Sequence, residues 1–517
     1  MGAFDVPDPL IPDLIAQHGR WLAGKPALLC GERRFSWREF DRATNRVGNG
    51  LRGEGLETGS RIAVLMHNSA EMAEVLFGAG KAGVCVVPLN LSVADDAVAA
   101  MIRDSGATAV AASGEQCARI DRLAAAGRLP SSLLRLGVEP PASGWQEFTG
   151  WRDRQSAEAP ASGPLPGAEC NIIYSSGTTG LPKGIVHSHA CRMHWATDLA
   201  LALRYHSGAV TLCSLGLYSN ISWAAMLATI LVGGTLVIMP SFSATGLVEL
   251  VERHGVTHGG FVPLQFRRLL ELPDLEQRRL GSLQAIMCCG SPLPPDLKRA
   301  TRDRLGCELI ELYGLTEGII TTLAPEDFDR RIESVGKPIP GQQLKLIGDD
   351  DREAAPGAAG EIVGCGRLVM EHYHNRPDAT AEATWTDAHG RRWLRTGDIG
   401  RLDDEGFLYI VDRKKDMILS GGQNVYPADI EQVMHTHPHV ADVAVIAVPS
   451  EQWGETPLAV VVLQPGAAAD SAALVAWTNE RVGRQQRISG VVLRDSLPRN
   501  PNGKILKREL RAEYARA

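Results

Sequence analysis

One junction constrains this chain more than any other feature. The apolar run Asn171 to Tyr174 reads as a buried strand, and it passes without a linker into SSGTTGLPKG, Ser175 to Gly184. Ser175, Ser176, Thr178 and Thr179 supply hydroxyls, Gly177, Gly180 and Gly184 supply turns, and Lys183 supplies a charge. Glycine lets a backbone turn tightly and present N–H groups to an anion. A flexible Gly/Ser linker rarely follows a buried strand directly, so the junction reads as a polyanion loop at a strand end. Two look-alikes fail on order and spacing. The loop has Gly-x-x-Gly-x-x-Lys with glycine after the lysine, which is not a Walker A sequence. GAGKAG, Gly78 to Gly83, fits GxGxxG, but its glycines follow a helix and precede a strand, the reverse of a dinucleotide-binding turn.

The rhythm around the junction supports an α/β scaffold. Ile62 to Met66 and Val84 to Pro88 read as buried strands with a helix, Ala70 to Lys81, between them. Residues 138 to 168 read as a surface connector rich in Pro, Ala, Ser and Gly. From Glu333 to Val411 the character turns to short strands and tight turns such as Asp404-Glu405-Gly406, a small β-rich subdomain. The last hundred residues or so mix helix and strand again, with Val443 to Val448 and Leu458 to Leu463 as a pair. Trp223 to Pro240 carries no charge over 18 residues. Gly233-Gly234 interrupts it, so it reads as a buried helix, a turn and a strand, not a membrane span.

Composition excludes little but usefully. With 517 residues the chain can bury a sizeable core without disulfides or metals. A net charge of −7 gives no general attraction to nucleic acid or acidic membranes. None of the ten cysteines forms a CxxC pair, so they read as reduced core thiols of a cytoplasmic protein. The N-terminus MGAFDVPDPL lacks a basic region followed by an apolar run, so no signal peptide is expected.

With these residues in view, YSSGTTGLPKG resembles the motif of the adenylate-forming superfamily: acyl-CoA synthetases, peptide-synthetase adenylation domains and luciferases. Further blocks appear in the family's order over nearly the whole chain. The resemblance implies a large N-terminal domain, 1–414, of mixed parallel sheets with helices plus a small β-barrel-like subdomain. A small mobile α+β domain, 415–517, would follow. It implies an AMP-forming acid–thiol ligase using ATP, Mg²⁺ and CoA on a small carboxylic acid, with no nucleic acid and no membrane span, and it allows a homodimer. Ser175 to Gly180 and Lys183 would hold the triphosphate. In ELYGLTEG, Tyr313 would stack on adenine, Thr316 would bind the α-phosphate and Glu317 would hold Mg²⁺. In LRTGDIG, Asp398 would accept the ribose hydroxyls, with Arg413 of DRKKDMI as a second ribose contact. Lys504 of RNPNGKILKREL matches the catalytic lysine, suited to neutralising charge between carboxylate and α-phosphate. Lys415 matches the hinge about which the C-terminal domain turns after adenylation. Gly421 and Gly422 would then let a pantetheine arm pass.

SLGLYSNISW, Ser214 to Trp223, matches the acyl-pocket block. Ser219 stands where amino-acid-activating relatives place aspartate and many acyl-CoA synthetases place histidine. An unpaired ammonium in a dry pocket would be costly, so an α-amino acid substrate is disfavoured. Tyr218 or Trp223 would take the place of the histidine gate. With Phe261, Val262, Gly290 and Ser291, the nameable pocket residues are neutral, which points to a hydrophobic acid: fatty, alicyclic or aryl. No carrier domain follows residue 517, so free CoA is the simplest acceptor, with a separate carrier protein as the alternative and a non-catalytic nucleotide-binding scaffold as the reading from another class. Two histidine groups, His187, His189 and His194, and His435, His437 and His439, lack cysteine partners at zinc-site spacing.

Overall fold

A computed structural model of the chain describes residues 8–139, 144–175, 182–420, 423–450, 452–499 and 503–514. The chain divides into two compact units. The first comprises Met1–Ile332, Pro338–Gln343 and Cys365–Thr384; the second comprises Glu333–Lys337, Leu344–Gly364 and Trp385–Ala517.

Two largely parallel sheets organise the first unit. One runs in the order His372–Tyr373, Lys183–Ser188, Glu169–Ser175, Cys85–Pro88, Arg61–Leu65, Ala109–Ser113, Leu134–Val138 and Gln146–Glu147. The other places Glu308–Gly314, Ala285–Cys288, His258–Phe261, Val210–Cys213 and Thr235–Ile238 side by side and parallel. These strands are continuous apolar runs because helices cover both faces of a parallel sheet; Ile62, Ala63 and Val64 are fully buried. The helix Ala70–Lys81 begins where the Ser69 hydroxyl accepts from Met72 N, and every one of its residues except Glu71 is buried. Its glycines serve packing, not phosphate: a Cβ on Gly78 would lie 2.6 Å from Val47 Cβ on the neighbouring helix Trp37–Gly53. The uncharged run near Trp223 forms the helix Asn220–Leu231, a turn at Gly233, and the strand Thr235–Ile238. Among the described residues no helix is long and apolar enough to cross a membrane.

The second unit is built on antiparallel pairing. Gly360–Gly366, Arg392–Leu402 and Leu408–Arg413 lie side by side. The turn between the last two is held by Asp403 Oδ1, which accepts from Glu405 N and Phe407 N. Farther on, Val440–Ser450 and Gly454–Leu463 form a long antiparallel pair, and Gly490–Arg494 lies parallel beside the latter. Side chains alternate across a strand. Val443 and Val445 join Ile418, Ile430 and Met434 on one face, and Ala444 and Ile446 join Leu497 and Leu510 on the other. Both faces of this sheet are therefore cores, the first covered by the helix Pro427–His435 and the second by Lys507–Tyr514.

Candidate functional site

In the first unit, the strand Glu169–Ser175 pairs antiparallel with Lys183–Ser188, bringing Tyr174 opposite Gly184 and Ser175 opposite Lys183. The glycine-rich segment thus joins two bonded strands. Ser176 to Gly180 lie outside the described residues, as does the side chain of Ser175. The stem is pinned from the side: the Tyr174 hydroxyl donates to Asp104 Oδ2 at 2.7 Å. Burial and the Asp104 carboxylate push that phenol far above its ordinary range.

Lys183 and Glu317 are brought into one row by a residue that no motif announced. The short strand His372–Tyr373 adds to the edge of the hairpin, with Tyr373 opposite Ile185. The Tyr373 ring lies 4.8 Å from Lys183 Nζ, a cation–π contact. Its hydroxyl donates to Glu317 Oε1 at 2.8 Å. Burial and the Glu317 charge raise the phenol far above its usual range, so it remains a donor at neutral pH. Glu317 sits on the turn after the strand Glu308–Gly314, where Leu315 N bonds Ile319 O at 3.1 Å and Gly318 N bonds Leu315 O at 3.0 Å. Gly318 has φ +106°, and a Cβ there would lie 1.9 Å from Leu368 O, so only glycine fits. Tyr313, Thr316 and Glu317 are all partly exposed on this turn and its approach.

The block after Ser214 is held by a buried side chain that sequence reading also missed. Asn68 Nδ2 donates to Leu215 O and Met239 O, and Asn68 Oδ1 accepts from Leu217 N. Ser219 caps the helix Asn220–Leu231, its hydroxyl accepting from Ile221 N at 3.3 Å. Ile221 then packs toward two glycines, at 3.3 Å from a Cβ placed on Gly290 and 3.4 Å from one on Gly260. Val262 Cγ1 is 3.4 Å from the same Gly290 position. Ser219, Ile221, Val262 and Gly290 therefore belong to one neighbourhood. Ser291 follows Gly290 and is partly exposed, as is Tyr218. Trp223 and Phe261 are packed in core, Trp223 beside Phe77 and Arg192, Phe261 beside Phe266.

The second unit gathers a separate set of charges. Asp398 and Arg413 are cross-strand partners, and Arg413 Nε lies 3.1 Å from Asp398 Oδ1. Asp398 is 3% exposed, so its carboxylate is held largely out of water. Lys415, Asp416 and Lys504 join this pair electrostatically, although Lys504 is distant in sequence. Burial, then the positive charge of Arg413, lowers the Lys504 ammonium from 10.5 to about 7, and Asp398 pulls in the opposite direction. The preceding Gly503 has φ +79°, and Arg499 donates to its carbonyl, which shapes the turn that presents Lys504. Asp412 Oδ2 accepts from Ala428 N at 3.0 Å and so holds the start of the helix Pro427–His435. Gly421 and Gly422 lie outside the described residues.

The histidine groups have different surroundings from one another. His187 and His189 are buried, and burial holds both below the ordinary imidazole range, His189 at about 4. His437 stacks edge-on against Trp477. Among the described residues, the metal-compatible donors that the fold brings together are others: ligand atoms of Glu169, His372 and His374 lie within 4.8 Å of one another. Glu169 is already engaged by Arg61 Nε at 2.8 Å, and His374 Nε2 by Asp104 O at 3.1 Å.

The chain resembles known proteins over nearly its whole length. The family model described as AMP-binding enzyme matches residues 16–374, and the model of the AMP-binding enzyme C-terminal domain matches residues 429–504. A long-chain-fatty-acid–CoA ligase of Mycobacterium tuberculosis is 33% identical over 497 residues, covering 93% of each chain. A fatty acid–acyl-carrier-protein ligase of Streptomyces coeruleorubidus is 33% identical over 502 residues, covering 95% of this chain and 93% of the relative. Among solved structures, ATP-bound MatB from Rhodopseudomonas palustris superposes with a TM-score of 0.88 at 27% identity, covering 98% of this chain and 99% of that one. The chain belongs to the AMP-binding enzyme family.

Proposed function

We propose that this enzyme activates a hydrophobic carboxylic acid with ATP and passes the acyl group to CoA. A carboxylate oxygen of the acid attacks the α-phosphorus, the bond to pyrophosphate breaks, and an acyl-adenylate forms. The CoA sulfur, having lost its proton, then attacks the acyl carbon, and AMP leaves with the electrons of the broken C–O bond. The observation that carries this reading is the set Asp398, Arg413 and Lys504 within one unit. A largely buried carboxylate held beside an arginine suits ribose hydroxyls, which donate to carboxylate oxygens. A lysine poised near neutrality suits a transition state in which negative charge gathers between two anions.

Roles for the other residues are those that the family resemblance implies. Lys183, steadied over a π face, would meet the departing phosphates together with the loop Ser175 to Gly180. Tyr313 would stack on adenine and Thr316 would bond the α-phosphate. Mg²⁺ fits Glu317: the carboxylate is a hard oxygen donor, partly exposed, with Tyr373 bonded to Oε1 and orienting it. When bound there the ion would supply charge neutralisation to the phosphates. Tyr218, Ser219, Ile221, Val262, Gly290 and Ser291 would bound the acyl group. Lys415 would serve as hinge between domains 1–414 and 415–517, and Gly421 and Gly422 would admit the pantetheine arm. All ten cysteines are free thiols, which suits a reducing cytoplasm.

Two relatives bear on the acceptor: one is named for CoA, the other for an acyl-carrier protein. The experiment is ATP–pyrophosphate exchange over a panel of acids, followed by chromatography with CoA added. Acid-dependent exchange with acyl-CoA and AMP as products is expected. Acyl-adenylate without thioester would move the acceptor to a carrier protein, and ADP as product would overturn the reading.

A further inference from the structure

Behind the Thr316–Gly318 turn, the first unit buries a positive charge that no acid answers among the described residues. Arg192 stands in the first turn of the helix His189–Ala202 and is 0% exposed. Its Nε donates to Asn171 Oδ1 at 3.1 Å. Neither Nη1 nor Nη2 has a hydrogen-bond partner, and no carboxylate pairs with the side chain among the described residues. Two indole rings flank the guanidinium, Trp195 at 4.9 Å and Trp223 at 5.3 Å. Buried Asn171 Nδ2 and Trp223 Nε1 also lack partners. The group is therefore rich in donors, has spent its one nearby amide acceptor on Arg192 itself, and carries net positive charge. Burial lowers the arginine only to about 10, so it stays charged at neutral pH.

Two π faces offset part of the loss of hydration, but a ring face cannot accept in line from both Nη groups. Buried charges in folded proteins are paired or coordinated. Orphaned atoms occur elsewhere among the described residues, on neutral groups such as Trp37 and Thr478 and at the Nε of Arg46 and Arg52, but only at Arg192 do both Nη groups lack a partner. The location narrows what could answer the charge. Trp195 Nε1 donates at 2.9 Å to Leu368 O, the same carbonyl against which Gly318 is pressed. His187, 5.8 Å from the Trp195 ring, faces the backbone of Thr316. Trp223 lies one helical turn beyond Ser219. The donors thus border the reactive turn on one side and the acyl-side helix on the other.

We propose that Arg192, Asn171 and Trp223 receive a second carboxylate at the far end of the acid, so that the substrate is a dicarboxylic acid with an apolar middle. This rests on the acid-activation reading above and sharpens its substrate class. Ile221 and Val262 keep the surroundings of Gly290 apolar, as a hydrophobic acyl body requires, while the buried guanidinium supplies a fork that matches carboxylate geometry.

The test pairs straight-chain dicarboxylic acids with monoacids of equal length in pyrophosphate exchange, using the wild-type chain, Arg192→Lys and Arg192→Met. Methionine fills similar volume without charge, and replacing an unanswered buried charge by an apolar group is not expected to unfold the chain. At the best length, the wild type should favour the dicarboxylate by roughly 10²-fold in kcat/KM, the scale of a buried charge pair. Arg192→Met should abolish or invert that preference, and Arg192→Lys should keep part of it. The dicarboxylate should also raise the melting temperature of the wild type but not of Arg192→Met. Equal use of both acids by the wild type, or a preference that survives Arg192→Met, would overturn the inference while leaving acid activation standing. Buried water alone at the site would give that result. Exchange with no acid in either series would overturn the activation reading and this inference with it.

Discussion

Lys183 and Lys504 are both proposed to meet phosphate oxygens, yet the two units hold them by different means. Lys183 rests over the ring of Tyr373, a neutral support whose hydroxyl is turned to Glu317. Lys504 stands among Arg413, Lys415, Asp398 and Asp416, and its ammonium is lowered to about 7. A π face supports a lysine through the ring's quadrupole and brings no second cation against it. A half-buried cluster with cations as near neighbours makes the charge conditional. The first arrangement suits a residue that holds the nucleotide throughout, the second a residue needed in one step.

The largest effect should come from breaking the conditional side. Lys504→Ala is expected to slow adenylate formation by about 10²- to 10³-fold or more, the scale for losing one transition-state donor. Thioester formation from supplied acyl-AMP should be largely spared, and parallel stopped assays of the two half-reactions would show it. Equal loss in both would contradict a lysine that serves only the first. Acetylation of Lys504 removes the same charge and should silence adenylation as the substitution does.

The contrast also predicts a pH dependence, provided the charged form is the active one. Lys504 carries its charge below its folded value of about 7 and loses it as pH rises through that value. Since kcat/KM reports the free enzyme, kcat/KM for ATP should fall by about tenfold per pH unit on the alkaline side. Lys504→Arg should lack this limb. The stability sign is opposite. Between about 7 and 10.5 the unfolded chain binds the extra proton, so stability should rise with pH over that window and the rise should vanish in Lys504→Met. A flat profile for the wild type would remove the distinction between the two lysines.

The smallest effect probes the neutral support. Tyr373→Phe keeps the ring beneath Lys183 but removes the hydrogen bond to Glu317. About a tenfold loss in kcat/KM is expected, the scale of one hydrogen bond to a charged group. It should come with a higher Mg²⁺ requirement in titrations of the initial rate. Tyr373→Leu, which also removes the π face, should add a rise in KM for ATP. Unchanged kinetics in both variants would leave the row of Lys183, Tyr373 and Glu317 without a role.

Local patterns made much of the fold legible. The helix Ala70–Lys81, the paired strands after Val440 and the helix–turn–strand after Asn220 all follow from apolar periodicity and from hydroxyl or glycine punctuation, which act between near neighbours. The glycine-rich junction was legible for the same reason, because a strand and the turn that follows it are contiguous. Tyr373 was not, since HYHN carries no local signal and its importance arises only where an edge strand meets a hairpin. Asn68 and Ile221 were hidden likewise: the first acts through backbone groups far along the chain, the second beside one glycine on a strand and another just past the end of the next.

By itself, then, the sequence determined the alternation of strands and helices, the glycine-rich junction and the order of the family's blocks, because each is written in consecutive residues. Only the tertiary structure decided which charges keep company. It set Lys504 beside Arg413 and Asp398, gave Glu317 a phenol, and left Arg192 beside two tryptophans with no carboxylate paired to it among the described residues. Charge, desolvation and hydrogen bonding depend on distance in space, and the chain brings those distances about only when it packs.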